Sequence, residues 1–364
     1  MTKRYDFLIM VILTGSVMIS CHQEKNTTRA EIPEAKNVIL MIGDGMGLSD
    51  VYAAMTVSDK PLNIERCSII GLQKTCSSDN YITDSGAAGT ALATGYKTKN
   101  GEIGMDPQGN KVKSILEIAE EHGLATGLVS TSSITHATPA SFIAHQLSRN
   151  SYEDIALDFL KTDVDVFIGG GYDHFAKRTD KLNLTDSLKL KGYEVDTSLN
   201  LILRSGSKKI AGLTAPVHNP FRLNGRGDML PESSAKAIEI LKSNPKGFFL
   251  MVEGSQIDWA GHSNAADTLI DEILDFDKAA GVVLDFAEHD GQTLVIITAD
   301  HETGGVSVTG GNLQAHKVKL DFSTKDHTAV MVPVYAYGPG SEKFKGIYDN
   351  TDIFYKILSA YGFK

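Results

Sequence analysis

The sequence predicts an α/β fold: a large central, mostly parallel β-sheet flanked by helices on both faces. Three observations carry this. Short apolar runs of strand length recur, among them Asn37–Ile42, Phe248–Val252 and Thr293–Thr298. Helix-length amphipathic segments alternate with them, the pattern that builds parallel sheets from crossover units. Carboxylates stand just past these runs, namely Asp44, Glu253 and Asp300, where open α/β sheets bind ligands beyond the carboxyl ends of their strands.

Taken in order, Asn37–Ile42 is the first strand, and Ser68–Thr75 reads as another between Cys67 and Cys76. A strand of that length spans roughly 30 Å, out of disulfide reach, so two free thiols are expected. Val112–His122 reads as a helix with Gly123 past its end, then Ala125–Ser130 as a strand. Ser151–Lys161 is helical and Val164–Ile168 is the next strand. Pro231 opens a helix to Asn244, with Glu232 in its first turn, as helix-start rules prefer. After the strand Phe248–Val252 comes a long amphipathic helix, Asp267–His289, then the strands Thr293–Thr298 and Val332–Tyr337. Residues 172–230 lack clear alternation and are expected to be an irregular insertion or cap. Arg226-Gly227-Asp228 within them matches an adhesion tripeptide but reads as a chance surface turn.

The N-terminus reads as an address. Lys3 and Arg4 precede an apolar stretch from Phe7 to Ile19, too short for a comfortable membrane span but suited to a secretory signal. Met18-Ile19-Ser20-Cys21 resembles a bacterial lipobox, with Met18 in place of the usual Leu and Cys21 as the lipidated residue. Residues 1–20 are therefore expected to be a signal peptide, 21–35 a polar tether, and 36–364 the folded domain. The protein would sit in the periplasm or be anchored to the outer membrane. Over 364 residues, 35 basic and 45 acidic side chains leave a net charge of −10. That balance argues against nucleic-acid binding.

Several carboxylates at one edge of a sheet would repel one another unless cations lay between them. Gly43-Asp44-Gly45-Met46-Gly47 follows a strand, but its spacing is not that of a dinucleotide loop and Asp44 has the wrong charge to face a pyrophosphate. A metal ligand and a capping Asp in a tight turn both remain open there. Asp258 and His262 are four apart, on one helix face, as a zinc pair or a surface ion pair would be. Asp300 and His301 are adjacent, so joint ligation requires the backbone to turn. His327 alone reads as an ordinary loop histidine. Ser85, before a run of small residues, reads either as a helix N-cap or as a nucleophile at a helix start, where an anion is favoured.

Together, Val38–Gly47, Thr83-Asp84-Ser85, the stretch Ser130–Arg149, Leu230–His262, Thr298–His301 and Asp326-His327-Thr328 resemble the alkaline phosphatases of the two-zinc, one-magnesium type. The resemblance runs from about Asn37 to Tyr361. It implies that Asp258, His262 and His327 hold one zinc and that Asp44, Asp300 and His301 hold the other. Magnesium would sit with Asp44, Glu253 and Thr138, Ser85 would take the phosphoryl group, and Arg149 would grip phosphate. Small phosphomonoesters are the implied substrates and a homodimer the implied assembly. Two positions depart from the best-known bacterial pattern. His136 stands where an Asp supports magnesium, and Trp259 where a Lys contacts phosphate. His136 could let zinc into the third site, because imidazole prefers zinc. Phosphodiesterases and sulfatases of the same superfamily, and a non-catalytic metal-binding lipoprotein, are the rival expectations.

Overall fold

β1 (Asn37–Gly43), buried along its whole length, lies near the middle of a ten-stranded sheet in the computed structural model, which describes Met1 and residues 35–363. The signal segment, most of the tether and Cys21 lie outside the described residues. The chain continues through β2 (Ile69–Lys74), β3 (Ala125–Ser133), β4 (Val166–Gly170), β5 (Glu194–Asp196), β6 (Ile210–Leu213), β7 (Phe248–Gly254) and β8 (Thr293–Thr298). Four strands then fall outside the main sheet: β9 (Glu302–Thr303), β10 (Val306–Asn312), β11 (Lys317–Phe322) and β12 (His327–Thr328). β13 (Val332–Tyr337) and β14 (Gly346–Asp349) complete it, in the order β14-β2-β13-β8-β1-β7-β3-β4-β6-β5. Only β13 runs against its neighbours.

The continuous apolar runs have their cause in this arrangement, since both faces of the sheet are covered. Val38, Leu40 and Ile42 of β1 pack with Phe249, Met251, Leu294 and Ile296 on one face, under the helices Ser85–Thr94, Ile115–Glu121 and Thr351–Tyr361. Ile39 and Met41 pack with Leu250, Val252, Val295 and Ile297 on the other, under Leu48–Val57, Met229–Leu241 and Ala266–Asp290. Each fully buried aliphatic side chain of this kind contributes roughly 1.5–3 kcal/mol, so the central strands are the most firmly held part of the sheet.

Register levels the strand ends. Ile42 pairs with Glu253 on one side and Thr298 on the other, and Ser130 of β3 pairs with Glu253. The residues just past β1, β3, β7 and β8 therefore emerge together at one edge, and antiparallel β13 brings the preceding His327 to the same edge.

One expectation is corrected. Residues 172–230 are not irregular: they form the helices Tyr172–Ala176, Leu184–Leu190 and Leu199–Arg204 and add β5 and β6 to the sheet. Elements three to seven residues long are too short to show a periodicity. Arg226-Gly227-Asp228 does lie in a turn with Gly227 and Asp228 exposed, but the Arg226 side chain points inward and is only 1% exposed. Cys67 and Cys76 are free thiols at opposite ends of β2.

Candidate active site

Ser85 is the first residue of the helix Ser85–Thr94, but it is not the cap. Asp84 precedes it in extended conformation and accepts the Ala87 N–H at 2.9 Å. With the cap supplied by Asp84, the Ser85 hydroxyl is left to face the strand ends, where it lies 3.3 Å from His301 Nε2. Asp84 also accepts from Arg149 Nη1 at 2.8 Å, so one carboxylate both starts the helix and fixes the guanidinium beside it. Arg149 in turn holds the Asp84 carboxyl below its usual range against the opposing effect of burial.

Asp44 follows β1 in a turn closed by Met46 N–H on Gly43 O at 3.1 Å. Gly45 there has φ +75°, and a Cβ on it would lie 2.8 Å from the Asp258 Cα, so only glycine lets this turn approach the neighbouring helix. Past β8 the backbone does turn: His301 N–H donates to Asp300 Oδ1 at 3.0 Å, and His301 Nε2 stands 3.3 Å from Asp300 Oδ2 and 3.4 Å from Asp44 Oδ1. Asp258 and His262 share one face of the helix Gln256–His262 as their spacing predicts, 3.3 Å apart. His327, unremarkable in sequence, completes that cluster, with its Nε2 3.1 Å from His262 Nε2 and 3.4 Å from Asp258 Oδ1.

The donor chemistry fits divalent cations. His262 Nδ1 bonds the Lys325 carbonyl and His327 Nδ1 bonds the Thr83 carbonyl at 2.8 Å. A carbonyl only accepts, so each Nδ1 carries a proton and each Nε2 is the ring nitrogen left to face a cation in the same space. Three groups of ligand atoms lie within 4.8 Å of one another: Asp258 with His262 and His327, Asp44 with Asp258 and His301, and Asp44 with His136 and Glu253. Both oxygens of Asp44, Glu253 Oε1, Asp300 Oδ2 and Thr138 Oγ1 are buried without a hydrogen-bond partner. So many orphaned acceptors are costly unless cations satisfy them.

The electrostatics agree. Burial, then the neighbouring carboxylates, pushes Asp44 well above its usual range. Burial lifts Glu253 to about 7 and Asp300 to about 6. Asp258 is the exception, since the His327 hydrogen bond and three imidazoles outweigh burial and pull it down. Burial and then Arg149 hold His136 neutral.

His136 lies 3.3 Å from Arg149 Nη2 and meets the Trp259 indole edge-on at 5.9 Å. Between them stands a residue the sequence did not single out. His218 packs against Trp259 at 4.8 Å and His136 at 5.5 Å, and its Nδ1 accepts the Ser133 N–H at 3.1 Å. Sequence reasoning also missed Thr303, whose hydroxyl donates to Asp258 Oδ1 at 2.5 Å, and Ser130 and Ser132, which donate to Glu253 Oε2. Asp84, inside the Thr83-Asp84-Ser85 motif, was findable from helix-cap chemistry, whereas His218 lay in a stretch with no pattern.

A sheet-edge cluster of carboxylates and imidazoles, with a helix-start serine and a fixed arginine beside it, defines a metal-dependent hydrolase of phosphate esters. The alkaline phosphatase family model matches residues 35–319 and 308–363. Alkaline phosphatase 4 of Bacillus subtilis is 36% identical, with 99% of this chain and 97% of that protein covered, and the Escherichia coli K12 alkaline phosphatase is 32% identical over 91% and 87%. The solved alkaline phosphatase of the Antarctic bacterium TAB5 superposes with a TM-score of 0.87 at 43% identity, covering 92% of this chain and all of that one. A histidine-to-aspartate variant of the TAB5 enzyme has been solved with magnesium in its M3 site. The chain belongs to the alkaline phosphatase family. It is a phosphoric monoester hydrolase that uses metal cofactors.

Proposed function

We propose that Ser85 is the nucleophile and that the three clusters hold two zinc ions and one magnesium. Asp258, His262 and His327 would bind the first zinc, and Asp44, Asp300 and His301 the second. Asp44, Glu253 and Thr138 would bind magnesium, with His136 at its border. The observation that carries this reading is the Ser85 hydroxyl, 3.3 Å from His301 Nε2 and free of the capping role.

Divalent cations in these clusters would act as Lewis acids, making the serine hydroxyl easier to deprotonate and neutralising charge on the reacting oxygens. Ser85 Oγ attacks phosphorus as the bond to the alcohol oxygen breaks, giving a phosphoserine. Water then displaces Ser85 from phosphorus and inorganic phosphate leaves. Arg149, clamped by Asp84, presents its planar fork to two phosphoryl oxygens, which a lysine could not imitate. The helix start adds backbone N–H groups and a favourable dipole at the same point. Trp259 and His218 wall one side of the site without offering a cationic partner to phosphate, which favours rapid product release.

The test is hydrolysis of a chromogenic phosphate monoester beside its diester and sulfate counterparts, as purified, after chelation, and after zinc and magnesium are restored. A monoester rate that chelation abolishes and metal restores is expected. A faster diester or sulfate rate would overturn the substrate assignment, and full metal occupancy without turnover would overturn catalysis.

We infer further that Cys21 carries a lipid anchor after export, in the periplasm or at the outer membrane, supported by the Met18–Cys21 lipobox-like motif and the charged, apolar leader. Fatty-acid labelling that a Cys21→Ser variant loses would support it. A homodimer is proposed on the family resemblance, with molar mass from light scattering as its check.

A further inference from the structure

Arg226 brings a buried guanidinium into contact with two helices. Its Nη2 donates to Glu272 Oε2 at 2.5 Å and Asp275 Oδ2 at 2.8 Å on the helix Ala266–Asp290. Its Nη1 donates to Glu272 Oε1 at 3.1 Å, Pro220 O at 3.0 Å and Gln256 Oε1. Gln256 is the first residue of the helix Gln256–His262, and its Nε2 donates onward to Asn219 O at 2.5 Å and Thr131 O of β3 at 3.2 Å. Asp258 lies in the same first turn, Trp259 follows it, and His262 ends the helix.

We propose that Arg226 is a positioning residue: acting through Gln256, it fixes the start of the helix that presents Asp258 and Trp259 to the site. Two arguments favour positioning over charge balance alone. Glu272 and Asp275 already neutralise the guanidinium, so the bond to Gln256 adds direction rather than compensation. The helix has seven residues and no side-chain cap, too short to hold its own orientation, so external ties set it. Gln256 uses both ends of its amide for such ties, one to Arg226 and the other to two backbone carbonyls.

The metal arm of the test rests on the reading that Asp258, His262 and His327 bind zinc, and the second arm does not. Arg226→Ala would strand two buried carboxylates and threatens folding, so the variants are Gln256→Leu, which keeps the ion cluster, and Arg226→Lys, which keeps the charge but not the fork. Trp259 is the single tryptophan of the chain, and its fluorescence reports on this helix in metal-free protein. Both variants are expected to increase acrylamide quenching of Trp259 and lower its anisotropy. They should also weaken zinc binding, measured by chelator competition, by about 10-fold or more, as loss of a partner behind the ligands does. A lower unfolding midpoint with wild-type tryptophan signals and zinc affinity would make Arg226 a purely structural residue and overturn the proposal. Altered tryptophan signals in a protein whose wild type takes up no zinc would sustain the positioning role and defeat the metal reading instead.

Discussion

Stripping the metals should make this protein less stable as pH rises, which reverses the usual behaviour of buried carboxylates held by salt bridges. Glu253 is fully buried, and its carboxyl rises from 4.5 to about 7 in the fold despite hydroxyls from Ser130 and Ser132. A folded state that binds its proton more tightly than the unfolded chain is favoured below pH 4.5. It loses that advantage as pH rises through the folded value. At about 1.4 kcal/mol per pH unit, Glu253 alone accounts for a loss of about 3 kcal/mol between pH 4.5 and 7. Asp300, raised to about 6, and Asp44, raised well above its usual range, act in the same direction. With cations between the carboxylates the ionised forms are the bound ones, so the loaded protein should not lose this stability and the two curves should diverge towards neutral pH.

The assay is urea unfolding at intervals from pH 4.5 to 7.5, in chelator and in excess zinc and magnesium, for wild type and Glu253→Gln. The glutamine keeps the volume and cannot titrate, so the chelated variant should recover about 3 kcal/mol relative to wild type by pH 7. Wild-type and variant curves that run parallel across this window would refute the reasoning. They would show that Glu253 is ionised in the metal-free fold and that the carboxylates are not in one another's field.

Ser85→Ala should lower kcat/KM by about three orders of magnitude and abolish acid-stable phosphoryl labelling while leaving zinc content unchanged. Arg149→Lys keeps the charge but loses the fork and the Asp84 clamp, so KM for a monoester should rise about tenfold with a smaller change in kcat. His136→Asp should raise magnesium content and affinity in the third cluster, read by metal analysis, because a carboxylate suits magnesium where imidazole suits zinc. Trp259→Lys should tighten inhibition by inorganic phosphate. Unchanged metal content and unchanged phosphate inhibition in the combined variant would defeat both assignments.

Much of the site was legible because its residues sit where strong patterns end. The long helix read as Asp267–His289 is Ala266–Asp290, and the strand read as Phe248–Val252 is Phe248–Gly254, with Glu253 inside its last turn of pleat. A buried strand is announced by its apolar run, so Asp44, Glu253 and Asp300 declared themselves by interrupting one. His327 carried no such signal. It joins Asp258 and His262 only because β13 runs antiparallel to β8 and so returns the chain to the occupied edge, a fact of topology invisible in any local window. The helices Leu48–Val57 and Thr351–Tyr361 and the hairpin of β10 and β11 were likewise not foreseen. β11 does alternate, with Val318, Leu320 and Phe322 half-buried between exposed Lys317, Lys319 and Asp321, but its partner β10 is exposed over most of its length and ends in Gly310-Gly311-Asn312, so no paired signal announced the hairpin.

The residues that stayed hidden share a physical character. Thr303, His218 and Arg226 act by directed hydrogen bonds between segments far apart in sequence, as Asp84 does towards Arg149, and such bonds leave no periodicity. They are also what the cation clusters require. Four buried carboxylates, Asp44, Glu253, Asp258 and Asp300, crowd one edge and repel one another when ionised without a cation, so the ligands themselves do little to hold the geometry open. Asp84 fixes Arg149 and starts the Ser85 helix, Thr303 orients Asp258, and carbonyls of Thr83 and Lys325 set the tautomers of His327 and His262. The ligand set identifies the chemistry, but it is this surrounding frame that keeps mutually unfavourable groups converged before any metal arrives. Substitutions in the frame should therefore lower metal affinity, while those in the apolar faces of the sheet should lower stability first.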